Sequence, residues 1–153
     1  MPPVPQDYML VPQEAYASRT SRFAPEPPLT IRQGDNFGIR LDDAFRQNYS
    51  QLPDAEAVAA GFMPGKRIAL RVNWPGYEPW HYHFTVPASA QKGAIVTEVA
   101  RQMQRFLDEM RGNTPAADAQ DWNIANIQLA DLVLLELRHV AQGSRQPVLC
   151  KRV

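Results

Sequence analysis

Two stretches near the middle of the chain alternate apolar and polar residues with the period of a strand. In "KRIALRVNW", Ile68, Leu70, Val72 and Trp74 fall on one face, with Arg67, Ala69, Arg71 and Asn73 on the other. "WHYHFTV" repeats the pattern, setting Trp80, Tyr82, Phe84 and Val86 against His81, His83 and Thr85. The connection "PGYEP" is bounded by prolines and reads as a turn, so the pair predicts an antiparallel hairpin with one apolar face. A register that places Trp74 opposite Trp80, Val72 opposite Tyr82, Leu70 opposite Phe84 and Ile68 opposite Val86 matches apolar with apolar throughout. In that register Arg71 faces His83 and Asn73 faces His81.

The period then lengthens. From Ala90 to Arg111, Ile95, Val99, Met103, Phe106 and Met110 recur at three- and four-residue steps, with Val96 and Leu107 widening the stripe and Gly112 as a stop. "GNTPAADAQ" is a loop, after which Trp122, Ile124 and Ile127 return to the core. "LADLVLLELRHV" suits either a buried helix or a strand with Val133, Leu135 and Leu137 on one face. Followed by "AQGSRQPVLCKRV", it favours strand, turn, strand, with the turn near Ser144 and Arg145. Upstream, "LTIRQGDNFGIRL" predicts a short strand and a turn. "DDAFRQNYSQL" predicts a short helix begun by Asp42 or Asp43 with Phe45 and Tyr49 on one face, and "DAEAVAAGF" a second, stopped by Gly61. The expected fold is α+β: an antiparallel sheet of about four strands, one long helix packed on a face, and short N-terminal helices, within a single domain over residues 30–153.

Residues 1–29 read differently. Seven of the chain's fourteen prolines lie before residue 29, a density that excludes a regular helix or a central strand, so an extended, partly disordered arm is expected. Tyr8, Met9, Leu10, Val11, Tyr16 and Phe23 are more apolar than a linker needs, which points to docking on the domain or on a partner. Within the arm, "RFAPEPP" places Arg22, Pro25 and Pro28 in the R-x-x-P-x-x-P pattern, a polyproline ridge for a partner; a plain proline-rich linker is the alternative.

Composition narrows the function classes. Sixteen basic and sixteen acidic residues cancel, so no global field draws the chain to nucleic acid or a membrane. A single cysteine allows no internal disulfide and fits a reducing compartment. Without a secretory start or a long apolar run, the expectation is a soluble protein of the cytoplasm or nucleus. Arg138, Arg145, Lys151 and Arg152 form a basic tail, read as a solvated face.

His81 and His83 are the sharpest chemical candidates, because an i, i+2 pair projects two imidazoles from one strand face. A metal needs further ligands, only Glu78 is near, and Arg71 would oppose a dication, so neither metal nor cofactor is assigned. Arg71, Asn73, His81 and His83 together form a candidate binding face for an anion or a partner. His139 and Cys150 would make a thiol–imidazole pair if the last hairpin set them opposite each other; a small buried hydrophobe is the alternative for the cysteine. "GFMPGKR" lacks the Ser or Thr after Lys66 and leads into a strand, so it is no phosphate loop. The leading expectation is a non-enzymatic module that engages a protein partner through its arm or through this face. The alternatives are a small enzyme or a metal- or anion-binding protein using His81 and His83, and a homo-oligomer joined at the edge of the C-terminal strand.

"WPGY" followed shortly by a tryptophan, then "TEVARQMQRFLDEM", and later "IQLADLVLLELRHVAQGSRQP", resemble a family of small proteins of mushroom-forming (basidiomycete) fungi with no established activity. The resemblance spans roughly residues 66–148 and leaves the arm outside. It implies a eukaryotic, intracellular source and carries no activity, cofactor or site residue. Where that family would be expected to hold an aromatic residue, often tryptophan, this chain has Arg145.

Overall fold

The structure, a computed structural model, describes residues 4–16, 25–31 and 37–153. Its elements in chain order are β1 (Tyr8–Leu10), β2 (Leu29–Thr30), β3 (Ile39–Arg40), α1 (Leu41–Phe45), β4 (Arg67–Val72), β5 (Trp80–Thr85), α2 (Lys92–Met110), β6 (Leu132–Ala141) and β7 (Ser144–Arg152), with short 3-10 segments between α2 and β6. The seven strands form one sheet in the order β2-β6-β7-β4-β5, with β1 pairing β7 and β3 pairing β6 off that path. The four-stranded antiparallel sheet with one long helix is therefore corrected. β4 and β7 run parallel, which makes the sheet mixed, and the short α1 accompanies α2. β2 falls in the short strand expected of "LTIRQGDNFGIRL", whereas β1 and β3 are only three and two residues long, too short to leave a period in the sequence. The "DAEAVAAGF" segment is turns and an isolated bridge, Val58 to Gln91, and not a helix. α1 starts one residue early, at Leu41, so Asp42 and Asp43 sit in its first turn. Among the described residues no helix is long and apolar enough to cross a membrane.

The central hairpin keeps the expected parity but slides by two residues. Val72 pairs with Trp80, Leu70 with Tyr82 and Ile68 with Phe84, while Arg71 faces His81 and Ala69 faces His83. Trp74 thus lies beyond the strand, in a longer loop than the sequence suggested. Its ring is still buried, packed on Phe106, and its indole N–H donates to the Trp122 carbonyl at 2.8 Å. Trp80 is buried and donates to Glu109 Oε2 at 2.7 Å. Tyr82, expected in the core, is 39% exposed and lies beneath the Arg105 guanidinium at 4.1 Å. The apolar face of the sheet packs on α2 through Ile95, Val99, Met103, Phe106 and Leu107, all fully buried.

The last segment is a hairpin, turned at Gln142 and Gly143 and not at Ser144 and Arg145. It joins the central hairpin through two parallel residue pairs, Ala69 with Ser144 and Leu70 with Arg145. From Gly143 along β7, alternate carbonyls face away from β6: Gly143 accepts from Ala69 N–H at 2.8 Å, Pro147 from the Gln13 side chain at 2.7 Å, and Leu149 from Val11 N–H at 2.9 Å. The next donor toward β4 would be the N–H of residue 147, which proline lacks, so the ladder stops there and the two hairpins separate. The N-terminal arm fills the gap. Gln13 bridges the two sides, accepting from Asn73 N–H at 3.0 Å while donating to Pro147. Upstream, β1 extends the sheet along β7, and Tyr8 and Leu10 cover a second small apolar cluster of Val133, Leu135 and Cys150 on the face away from α2.

Gln13→Ala removes the acceptor of Asn73 N–H and the donor to Pro147 together. It is expected to lower stability by about 1–2 kcal/mol, read as a shift of the urea midpoint with the m-value unchanged. An unchanged midpoint would mean that water replaces both bonds without loss.

Candidate functional site

Part of the polar face of the central hairpin, around Arg71 and Asn73, is occupied by the chain itself. Arg71 donates from Nε to Ser144 Oγ at 3.2 Å, and its guanidinium lies 4.2 Å from the centre of the Tyr16 ring. The Asn73 side chain donates to the Glu14 carbonyl at 2.7 Å. These two residues seat the arm. His81 and His83 remain exposed, their rings edge-on with centroids 5.8 Å apart. Burial, with help from Arg67, His81 and Arg71, holds the His83 pKa below the usual imidazole value. Among the described residues, no three His, Cys, Asp or Glu side chains gather where they could hold a metal ion. Arg22 lies outside the described residues, and Pro25 and Pro28 are exposed.

The register of the last hairpin separates His139 from Cys150. Cys150 pairs with Val133, and His139 pairs with Arg145. Burial alone pushes the Cys150 thiol up to about 12, so it behaves as a small apolar side chain in the second cluster.

What the structure assembles instead lies at the turned end of this hairpin. Glu26, Lys66, His139, Gly143, Ser144 and Arg145 line an open pocket of about 360 Å³. Arg145, expected in the solvated basic tail, is only 3% exposed. It shares the helix-side face of the sheet with Leu70 and its guanidinium sits over the Phe62 ring, 4.5 Å from the ring centre. Nη2 donates to Glu26 Oε2 at 3.0 Å, whereas Nη1 is buried with no acceptor. Two of this guanidinium's five N–H donors, those on Nη1, are thus unmet. That is a costly arrangement for a buried cation, and one that favours an additional anionic acceptor. Burial lowers the Arg145 pKa, with Glu26 opposing. Lys66 is exposed at the rim.

The backbone prepares the site. Gly61 has φ +84°, a conformation that favours glycine, and its missing side chain leaves the place that the Glu26 carboxylate takes beside Arg145. Glu26 N–H donates to His139 Nδ1 at 3.0 Å, which assigns that nitrogen as the acceptor of a neutral imidazole. Sequence reasoning passed over this pocket because Glu26, Gly61, Lys66 and Arg145 are distant in the chain. One signal was available: Arg145 has the strand parity of Leu149, an inward position, and lies where the resembled family would place an aromatic residue. Comparison with family models, with curated proteins and with solved structures finds no match, so the resemblance rests on the quoted motifs alone.

His139 makes the pocket sensitive to acid. Burial and Arg145 lower its pKa from 6.5, against the opposing influence of Glu26 and the Ala141 backbone. The unfolded chain then takes up a proton that the folded one refuses, so this contribution is full above pH 6.5 and is lost as the pH falls through the lower folded pKa. Wild type is expected to lose more stability between pH 7.5 and 5.5 than His139→Gln, by chemical denaturation at both values. Equal losses would contradict the assignment.

Proposed function

We propose that this protein is a non-enzymatic interaction module that holds an acidic group of a protein partner in the pocket at the turned end of the β6–β7 hairpin. The observation that carries the reading is the Arg145 guanidinium, buried on an aromatic ring with one nitrogen lacking an acceptor, in a residue that lines an open pocket. A guanidinium is the side chain best suited to a carboxylate, because its fork matches both oxygens. Lys66 at the rim adds a second positive charge on the approach. The pocket replaces the polar face of the central hairpin as the preferred surface, since Arg71 and Asn73 there hold the chain's own arm.

The test uses glutamate blocked at both ends as the probe, titrated while amide resonances are followed. It is expected to bind with a millimolar dissociation constant and to move the signals of Phe62 and Gly143–Arg145. Blocked glutamine should leave them still. Arg145→Met keeps the volume and removes the charge, a change that buried sites commonly tolerate, and should abolish the response. Equal shifts with glutamine, or a response that survives in Arg145→Met, would overturn the reading.

A further inference from the structure

We infer that Glu26 is a displaceable internal ligand of the Arg145 pocket, and that the partner it stands in for is an extended acidic segment of another protein. This rests on the reading of the pocket given above. The geometry of Glu26 carries the inference. Its carboxylate engages Arg145 through one nitrogen only, Oε2 to Nη2, although a carboxylate can bind both nitrogens of a guanidinium side by side. The backbone explains the incomplete engagement. Pro25, Pro27 and Pro28 flank Glu26 and restrict its φ/ψ freedom, and its own N–H is pinned to His139 Nδ1. Gly61 lies against the remaining side, its hydrogen facing Oε2.

The segment is also open to solvent. Residues 25–28 are all exposed, and the Glu26 side chain keeps half of its surface in water. Downstream the chain is firmly anchored. Leu29 and Thr30 pair with Leu137 and Glu136, Ile31 N–H donates to the Leu135 carbonyl, and Ile31 is fully buried. Glu26 can therefore swing out on the anchored strand without opening the core. A free carboxylate on an extended chain is not tethered in this way and can reach both nitrogens. It gains the bond that Glu26 leaves unmade, while the internal carboxylate lowers its apparent affinity by the fraction of time it occupies the site.

The experiment uses the full chain and a blocked peptide carrying residues 25–29, Pro-Glu-Pro-Pro-Leu, alongside its Gln counterpart, with affinity read from amide shifts. Glu26→Gln and Glu26→Asp test the latch in two ways: the first removes the charge, and the second keeps it but shortens its reach. Both are expected to bind the Glu peptide about tenfold more tightly than wild type does, as expected when the internal ligand fills the site about nine-tenths of the time. The Gln peptide should bind none of them, and Arg145→Met should bind neither peptide. Unchanged or weaker affinity in both Glu26 variants, with wild type still binding, overturns the latch and leaves the pocket reading intact. Absence of Glu-peptide binding in wild type and in both variants overturns the two together. Should Glu26→Gln fail to fold, Glu26→Asp alone decides, because its charge balance is unchanged.

Discussion

Two parallel residue pairs, Ala69 with Ser144 and Leu70 with Arg145, join the central hairpin to the C-terminal one. Pro147 sets their number. With no N–H to offer β4, it ends the ladder after Arg145, and the strands diverge on either side of a short seam. Downstream of the seam the gap is closed by the arm, whose Gln13 takes up Asn73 N–H and the Pro147 carbonyl. At the seam itself, next to the Gly143 turn, Arg145 lines the pocket. The docked arm and the open site are thus two consequences of one interrupted ladder.

The same seam explains why a cation is buried there. A residue opposite Leu70 on the helix-side face must be inward, and the Phe62 ring gives the guanidinium a surface to lie on. Glu26 offsets the charge through one nitrogen and leaves the other in need of an acceptor. Gly61 is favoured there by its positive φ, and His139 accepts from the backbone N–H of Glu26. Three segments far apart in sequence therefore meet in one electrostatic arrangement that none of them would sustain alone.

Much of the frame was legible in the sequence because it rests on period. The alternation through Ile68, Leu70 and Val72 and the three-four spacing of Ile95, Val99, Met103 and Phe106 are local consequences of which face is buried. The register was not, because the loop that carries Trp74 is longer than the prolines suggested, and a slide of two residues preserves every face. The short strands β1 and β3 left no pattern, and nothing marked β4 and β7 as parallel, so the sheet read as smaller and wholly antiparallel. Arg145 was hidden by its charge: in sequence it looks solvated, and only the three-dimensional meeting with Phe62, Gly61 and Glu26 shows that it is not. Arg71 and Asn73 were singled out as binding residues, and they do engage extended chain, but it is the protein's own.

The two terminal nitrogens of Arg145 differ, one held by Glu26 and one buried without an acceptor. Nitrogen-resolved NMR of the guanidinium measures this directly, through the chemical shift of each Nη proton pair at low temperature. Two unequal sites are expected. The Nη2 protons should be shifted downfield by the Glu26 carboxylate, and the Nη1 protons, lacking an acceptor, should lie upfield and be the first to move when a carboxylate is added. Equal shifts for both pairs, unmoved by a carboxylate, would show that the guanidinium is already satisfied within the chain and would contradict that difference.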